Sequence, residues 1–178
     1  RLDKATTGAL IITDDGDLNE VIRSGVPKTY RVEVDEVVSE HQIDQLRAGV
    51  VIRRVRAGLR GASERTEPAI VRRVPEGIEI VLRQGRNRQV RRMCKAVGIR
   101  LVHLHRLSVG AVRCPQQVGS WRALDASELL CLRWFGPSSA ATDSEILVRL
   151  KGRWQRGDAR ERIIIEQWLS HWYPGALS

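Results

Sequence analysis

"GIEIVLRQGRNRQVRRMCKAVGIRLVHLHRLSVG", Gly77 to Gly110, changes its period twice. In its first part Ile78, Ile80 and Leu82 alternate with other residues, which predicts a strand with one apolar face. From Gly85 to Gly98 the spacing shifts. Val90, Met93, Cys94 and Val97 fall at i, i+3, i+4 and i+7, the pattern of a helix with a single apolar stripe. Arg88, Arg92 and Lys95 lie opposite that stripe, and Arg91 sits at its border, about 100° from Val90. A border arginine can bury its stem and still aim its head into a pocket. "RLVHLHRLSVG" then returns to strand character.

The flanks extend the same alternation of elements. "ALIIT", Ala9 to Thr13, is a short apolar run closed by "DDG" and reads as a strand entering a turn. "DLNEVIRS" carries Leu18, Val21 and Ile22 at helical spacing. In "TYRVEVDEVV", Tyr30, Val32 and Val34 share one face and Arg31, Glu33 and Asp35 the other. "SEHQIDQLRAG" predicts a short helix with Ser39 and Gln42 at capping-box spacing and Gly49 as its stop. "VVIRRV" and "PAIVRRV" are further strands, and "SWRAL" is short and extended. "DASELLCLRWF" is a helix with Asp125 as cap and Glu128 as its partner. Strands outnumber helices in this part without regular βαβ alternation. The expected class is therefore α+β, with a mostly antiparallel mixed sheet flanked by helices.

Composition shifts at "GPSSAATDS", Gly136 to Ser144, to small and polar residues, which marks a linker. The expected organisation is thus a domain over 1–135, a linker over 136–144 and a helical extension over 145–178. In the extension Ile165, Trp168, Leu169 and Trp172 form one stripe, and three of the chain's five tryptophans lie there. Such a helix needs a surface to pack against, its own domain before a partner.

Bulk numbers narrow the function. The 178 residues include 42% apolar ones, enough for a core. Lys and Arg number 30 against 21 Asp and Glu, a formal charge of +9, and arginine supplies nearly all of the positive part. Arginine forks fit phosphate oxygens with paired hydrogen bonds, so this balance favours a nucleic-acid partner over a small neutral ligand. Three cysteines without CxxC spacing argue against a disulfide framework and a zinc site and fit a reducing, cytoplasmic setting. No run of 18 apolar residues predicts a membrane span, and no signal-peptide pattern is present. His103 and His105 share a strand face but lack a third ligand at useful spacing, so a structural role is expected rather than a metal pair. Cys94 reads as a small core residue.

"RLDKATTGALIITDDGDL", "KTYRVEV", "GRNRQVRRMCKAVGIRLVHLHRLSVG" and "GSWRALDASELLCL" resemble, in order and spacing, successive motifs of bacterial ribosomal RNA pseudouridine synthases. The likeness covers about residues 1 to 133, in the branch that holds the small-subunit enzyme and its large-subunit relatives. "NRQVRRM" leans toward the large-subunit modifiers. The resemblance implies an isomerase that converts uridine to pseudouridine in ribosomal RNA or its precursor, with no cofactor and no metal. It implies that Asp3 is the catalytic aspartate. Arg1 corresponds to the arginine that moves toward the space left by the flipped base. Tyr30 corresponds to the tyrosine that packs on that base, and Arg91 to the basic residue paired with the aspartate. Leu107 and Gly110 are implied at the pocket floor. Arg86, Arg88, Arg92 and Lys95, with Lys28 and Arg1, are the expected RNA contacts. They would hold phosphates and offset the few kcal/mol that base flipping costs, about 2–4. For the four helix cations a solvated face is the competing reading.

Two departures accompany the likeness. The family's catalytic domain normally begins before "RLD", with a strand carrying a Lys-Pro motif and often a small RNA-binding domain. The resemblance therefore implies that one strand position beside Asp3 is unfilled, and that the sequence is a fragment or takes this segment from another chain. Gln84 stands where relatives usually carry Glu. Three readings follow: a synthase acting on ribosomal RNA, a truncated relative that holds RNA without isomerising it, and a structural protein docked through its Trp-rich tail.

Overall fold

The computed structural model describes residues 1–56, 59–115 and 117–134. The expected linker and helical extension lie outside the described residues. The elements are β1 (Thr6–Gly8), α1 (Gly16–Ser24), β2 (Lys28–Val34), α2 (Glu40–Ala48), β3 (Val51–Arg56), β4 (Leu59–Arg65), β5 (Ile70–Val74), β6 (Gly77–Leu82), α3 (Gln89–Ala96), β7 (Leu101–Val109), β8 (Val112–Arg113) and α4 (Ala126–Trp134).

Helix ends follow local chemistry. Ser39 caps α2 and Gln42 reaches back to the Ser39 amide, which completes the expected capping box. Gly49 ends that helix at φ 79°. Asp125 accepts from the Glu128 amide while Glu128 accepts from the Asp125 amide, the same device at α4. Asp15 caps α1 through the Leu18 amide.

The strands form a mixed sheet in the order β1-β7-β2-β6-β5, with β8 attached to β7. Only β1–β7 is parallel; the other pairings are antiparallel. The alternation of β2 has the expected result. Tyr30 and Val32 face a core made with Ile78, Ile80, Val71 and Leu104, against which α2 packs Ile43 and Leu46 and α3 packs Val90, Met93 and Cys94. Ile43, Leu46, Ile78, Ile80 and Met93 are fully buried. Each such side chain contributes roughly 1.5–3 kcal/mol of transfer free energy. A second cluster, with Leu18, Val21, Val26, Val109, Val112 and Leu132, ties α1 and α4 to the end of β7.

One local expectation fails and one strand was not expected, each for an identifiable reason. The first strand is Thr6–Gly8, not the apolar run Ala9–Thr13. Thr6, Thr7 and Gly8 pair with Leu104, His105 and Arg106, and the Ala9 amide donates to the Arg106 carbonyl before the chain leaves the sheet. Leu10 and Ile12 are left exposed. Gly8 is required there: φ is 108°, and a Cβ would lie 2.2 Å from the Arg106 carbonyl oxygen. The second miss is β4, whose "LRGASER" carries no apolar alternation and pairs only with β3 as a separate hairpin. "SWRAL" lies outside the sheet, and there Arg122 forms a two-point ion pair with Glu128. No helix among the described residues is long and apolar enough to cross a membrane.

Candidate active site

Asp3 lies just ahead of β1, and its carbonyl accepts from the Thr6 amide. Across from it, α3 presents Arg91 from the border of its apolar stripe. Arg91 Nε stands 4.0 Å from Asp3 Oδ2, with side chains 17% and 26% exposed, so the ion pair is half-sheltered. Arg91 Nη2 also donates to the Ala5 carbonyl at 2.5 Å and reaches Thr6 Oγ1 at 3.4 Å. The arginine thus grips the backbone that carries the aspartate as well as facing its carboxylate. Arg91 Nε is buried without a hydrogen-bond partner among the described residues.

Tyr30 projects from β2 on the core side and is half-buried. Its register partner on β7 is Arg106, whose own partner on β1 is Gly8. Tyr30 therefore stands two strand spacings, about 10 Å, from the β1 backbone. It makes no hydrogen bond to Asp3 or Arg91 among the described residues. Asp3 and Arg91 thus stand at the β1 edge of the sheet, and the aromatic ring stands two strands further in.

The expected RNA contacts divide. Arg88 and Lys95 are exposed, and Arg88 adopts the left-handed conformation at φ 49° at the start of α3. Arg92 is spent internally: its guanidinium donates to the Arg53 and Asn87 carbonyls. Arg86 donates to the Arg65 carbonyl at 3.0 Å and lies 3.6 Å from Glu64 Oε1. These two brace α3 against the β3–β4 hairpin. Arg1 is exposed. Lys28 is not a surface contact. It is 4% exposed, and Nζ donates to the Val26 carbonyl at 2.8 Å and toward the Arg83 carbonyl at 3.4 Å. Burial, then the nearby Arg106, lowers its pKa to about 8.

Three contributors escaped the sequence reading. Arg106 is 6% exposed and donates through Nε to the Ala9 carbonyl at 2.7 Å. Its signal was a cation at an inward position two residues after Leu104, both of them buried. Thr6 is buried beneath Arg91. Gln89, also buried, accepts from the Arg86 amide and donates to Gln84 Oε1 at 3.2 Å. Gln84 in turn donates to Glu67 Oε1 at 2.5 Å. That bond explains the departure at 84, because a glutamate there would oppose Glu67 instead of bonding to it.

Leu107 and Gly110 anchor the turn after β7: the Leu107 carbonyl accepts from the Cys114 amide, and the Gly110 amide donates to the Pro27 carbonyl. His103 and His105 both contact Thr7 Oγ1, at 3.2 and 2.7 Å, and His103 Nδ1 lies 3.4 Å from Glu33. No group of three or more metal-ligating side chains occurs among the described residues. Cys94 is buried, and desolvation raises its thiol pKa to about 12, as a core residue requires.

The profile of the RNA pseudouridylate synthase family matches residues 1–96, a span that contains Asp3, Tyr30 and Arg91. An uncharacterized RNA pseudouridine synthase of Bacillus subtilis is 35% identical over 137 residues, 72% of this chain and 55% of that protein. The ribosomal small subunit pseudouridine synthase A of Salmonella typhimurium is 33% identical, and that of Escherichia coli 32%, over 135 residues with the same coverage. The chain thus spans about half the length of these curated relatives. A crystal structure of a pseudouridylate synthase superposes with a TM-score of 0.59 and 31% identity, over 67% of this chain and 52% of that one. With the aspartate, its arginine and the tyrosine inside the matched span, the chain belongs to the RNA pseudouridylate synthase family.

Proposed function

We propose that this chain isomerises a uridine in ribosomal RNA to pseudouridine, with Asp3 as the catalytic residue. The observation that carries the reading is the half-sheltered contact of 4.0 Å between Asp3 and Arg91, at the edge of a sheet that also presents Tyr30. The reaction breaks the bond between C1′ and N1, turns the uracil, and joins C1′ to C5. The hydrogen on C5 is lost to solvent and N1 gains a proton, so the product is an isomer of the substrate. An ionised Asp3 can begin this by attacking C1′ or by removing the C2′ proton. Arg91 faces the carboxylate and fixes the Ala5–Thr6 backbone beside it. Tyr30 offers a stacking face worth roughly 1–3 kcal/mol to a flipped base. No step calls for a metal or a cofactor.

The substrate class rests on the basic balance of the chain and on the relatives named for ribosomal small-subunit RNA. "NRQVRRM" leans instead toward large-subunit RNA. The test is to incubate the chain with transcripts of both ribosomal RNAs and map pseudouridine by chemical derivatisation and primer extension. A single new pseudouridine in one transcript is expected and identifies the subunit. Binding of both transcripts without conversion, alone and with an upstream segment supplied in trans, would favour the RNA-holding relative.

A further inference from the structure

Lys28 and Arg106 are the most deeply buried cations described, 4% and 6% exposed, and neither has a carboxylate partner among the described residues. Their neighbourhood is the row already occupied by Tyr30. Lys28 lies two residues before Tyr30 on β2, so the two share a face, and Arg106 is the register partner of Tyr30 on β7. The end of β1 borders the same spot, since Gly8 is the register partner of Arg106 on its other side.

Two like charges held together and desolvated cost free energy, and an isolated buried cation is normally paired or neutralised. Carbonyls satisfy part of the need: Val26 and Arg83 accept from Lys28, and Ala9 accepts from Arg106 Nε. The terminal nitrogens of Arg106 have no hydrogen-bond partner among the described residues, yet they are not among the atoms sealed from solvent. A planar fork with open nitrogens beside an ammonium is a receptor for a tetrahedral oxyanion.

We infer that Lys28 and Arg106 form a phosphate site beside Tyr30, one that takes the phosphate of the nucleotide whose base stacks on that ring. The choice of a nucleotide phosphate rests on the proposed function; the need for an anion does not. The site does different work from Arg88 and Lys95. Those lie on the surface and can track the RNA backbone in any register, whereas this pair, 4% and 6% exposed, lies below it. Binding there would register a flipped nucleotide on the Asp3–Arg91 contact.

The test uses the full chain with uridine 5′-monophosphate, uridine and inorganic phosphate as probes. Uridine 5′-monophosphate is expected to bind at least about tenfold more tightly than uridine, the difference one charge-assisted contact supplies. Lys28→Met and Arg106→Met should each reduce it to the level of uridine and leave uridine itself unchanged. As a measure that needs no variant, NMR titration of the Lys28 ammonium should show its pKa rising from about 8 when the monophosphate or inorganic phosphate is added. Equal affinity for uridine and its monophosphate, together with an unmoved Lys28 titration, overturns the site. Conversion of uridine in ribosomal RNA, measured separately, keeps the two readings apart. Conversion without phosphate preference refutes the anion site alone, and phosphate preference through Lys28 without conversion refutes the enzymatic reading alone.

Discussion

The two faces of β2 treat charge in opposite ways. On the outer face Glu79 is buried between Arg72, at 2.5 Å, and Arg31, at 3.1 Å, and Glu33 faces His103. The buried carboxylate there has two cations. On the inner face Lys28 and Arg106 are at least as deeply buried, and no described carboxylate answers them. A buried charge whose partner is built into the same sheet is structural. A buried charge without one points to a partner that arrives from outside, and here it stands beside the residues proposed for the chemistry.

The outer face can be broken at Glu79. Glu79→Ala should cost about 2 kcal/mol in urea unfolding, because it strands two guanidiniums; their exposure of 39% and 50% keeps the loss below that of a sealed pair. Burial pushes the Glu79 carboxyl up, but the bonds from Arg72 and Arg31 outweigh it and hold the group below its ordinary 4.5. Its contribution is thus complete above that value and is lost as pH falls through the lower folded one. The gap between native chain and variant should close only in that acid range.

The inner face predicts the reverse sign. Lys28→Met should leave stability at pH 7 unchanged or raise it by about 1 kcal/mol, since it removes an unpaired buried charge. In the folded chain Lys28 releases its proton near 8, in the unfolded chain near 10.5. The unfolded state binds more protons between these values, so the native chain gains stability as pH rises through the interval and the advantage of the methionine variant shrinks. A variant that is less stable at every pH would make Lys28 a structural strut and erase the contrast.

The helix cations carry the same distinction to the surface. Arg88→Ala with Lys95→Ala should weaken RNA binding and reduce its salt slope by about two phosphate contacts. Arg92→Ala should instead cost about 1 kcal/mol of stability through its lost carbonyl bonds and leave the salt slope unchanged. The smallest effect belongs to an exposed pair. Arg73→Ala removes the contact with Glu40, whose side chains are 42% and 68% exposed, and should move stability by less than about 0.5 kcal/mol.

What could be read from the sequence follows from how local each signal is. The alternation of "TYRVEV", the Ser39–Gln42 box and the stripe of Val90, Met93 and Cys94 are written within single elements, and the fold obeys them. β1 was misplaced because three residues carry too little pattern, and its position depends on a parallel partner nearly a hundred residues away. β4 was missed because neither of its faces is apolar in sequence. At the site, Asp3, Tyr30 and Arg91 came from resemblance rather than from spacing, and the fold brings Asp3 and Arg91 together. Arg106 and the inward aim of Lys28 depend on register across β2 and β7. No window of either strand alone contains that information.

The claim that Asp3 carries out the chemistry is tested most directly by tritium release from ribosomal RNA labelled at uridine C5. The native chain should release the label, and Asp3→Asn should release none while binding the same RNA within a few-fold of the native affinity. Release by Asp3→Asn at the native rate would contradict that assignment, whatever else the sheet holds.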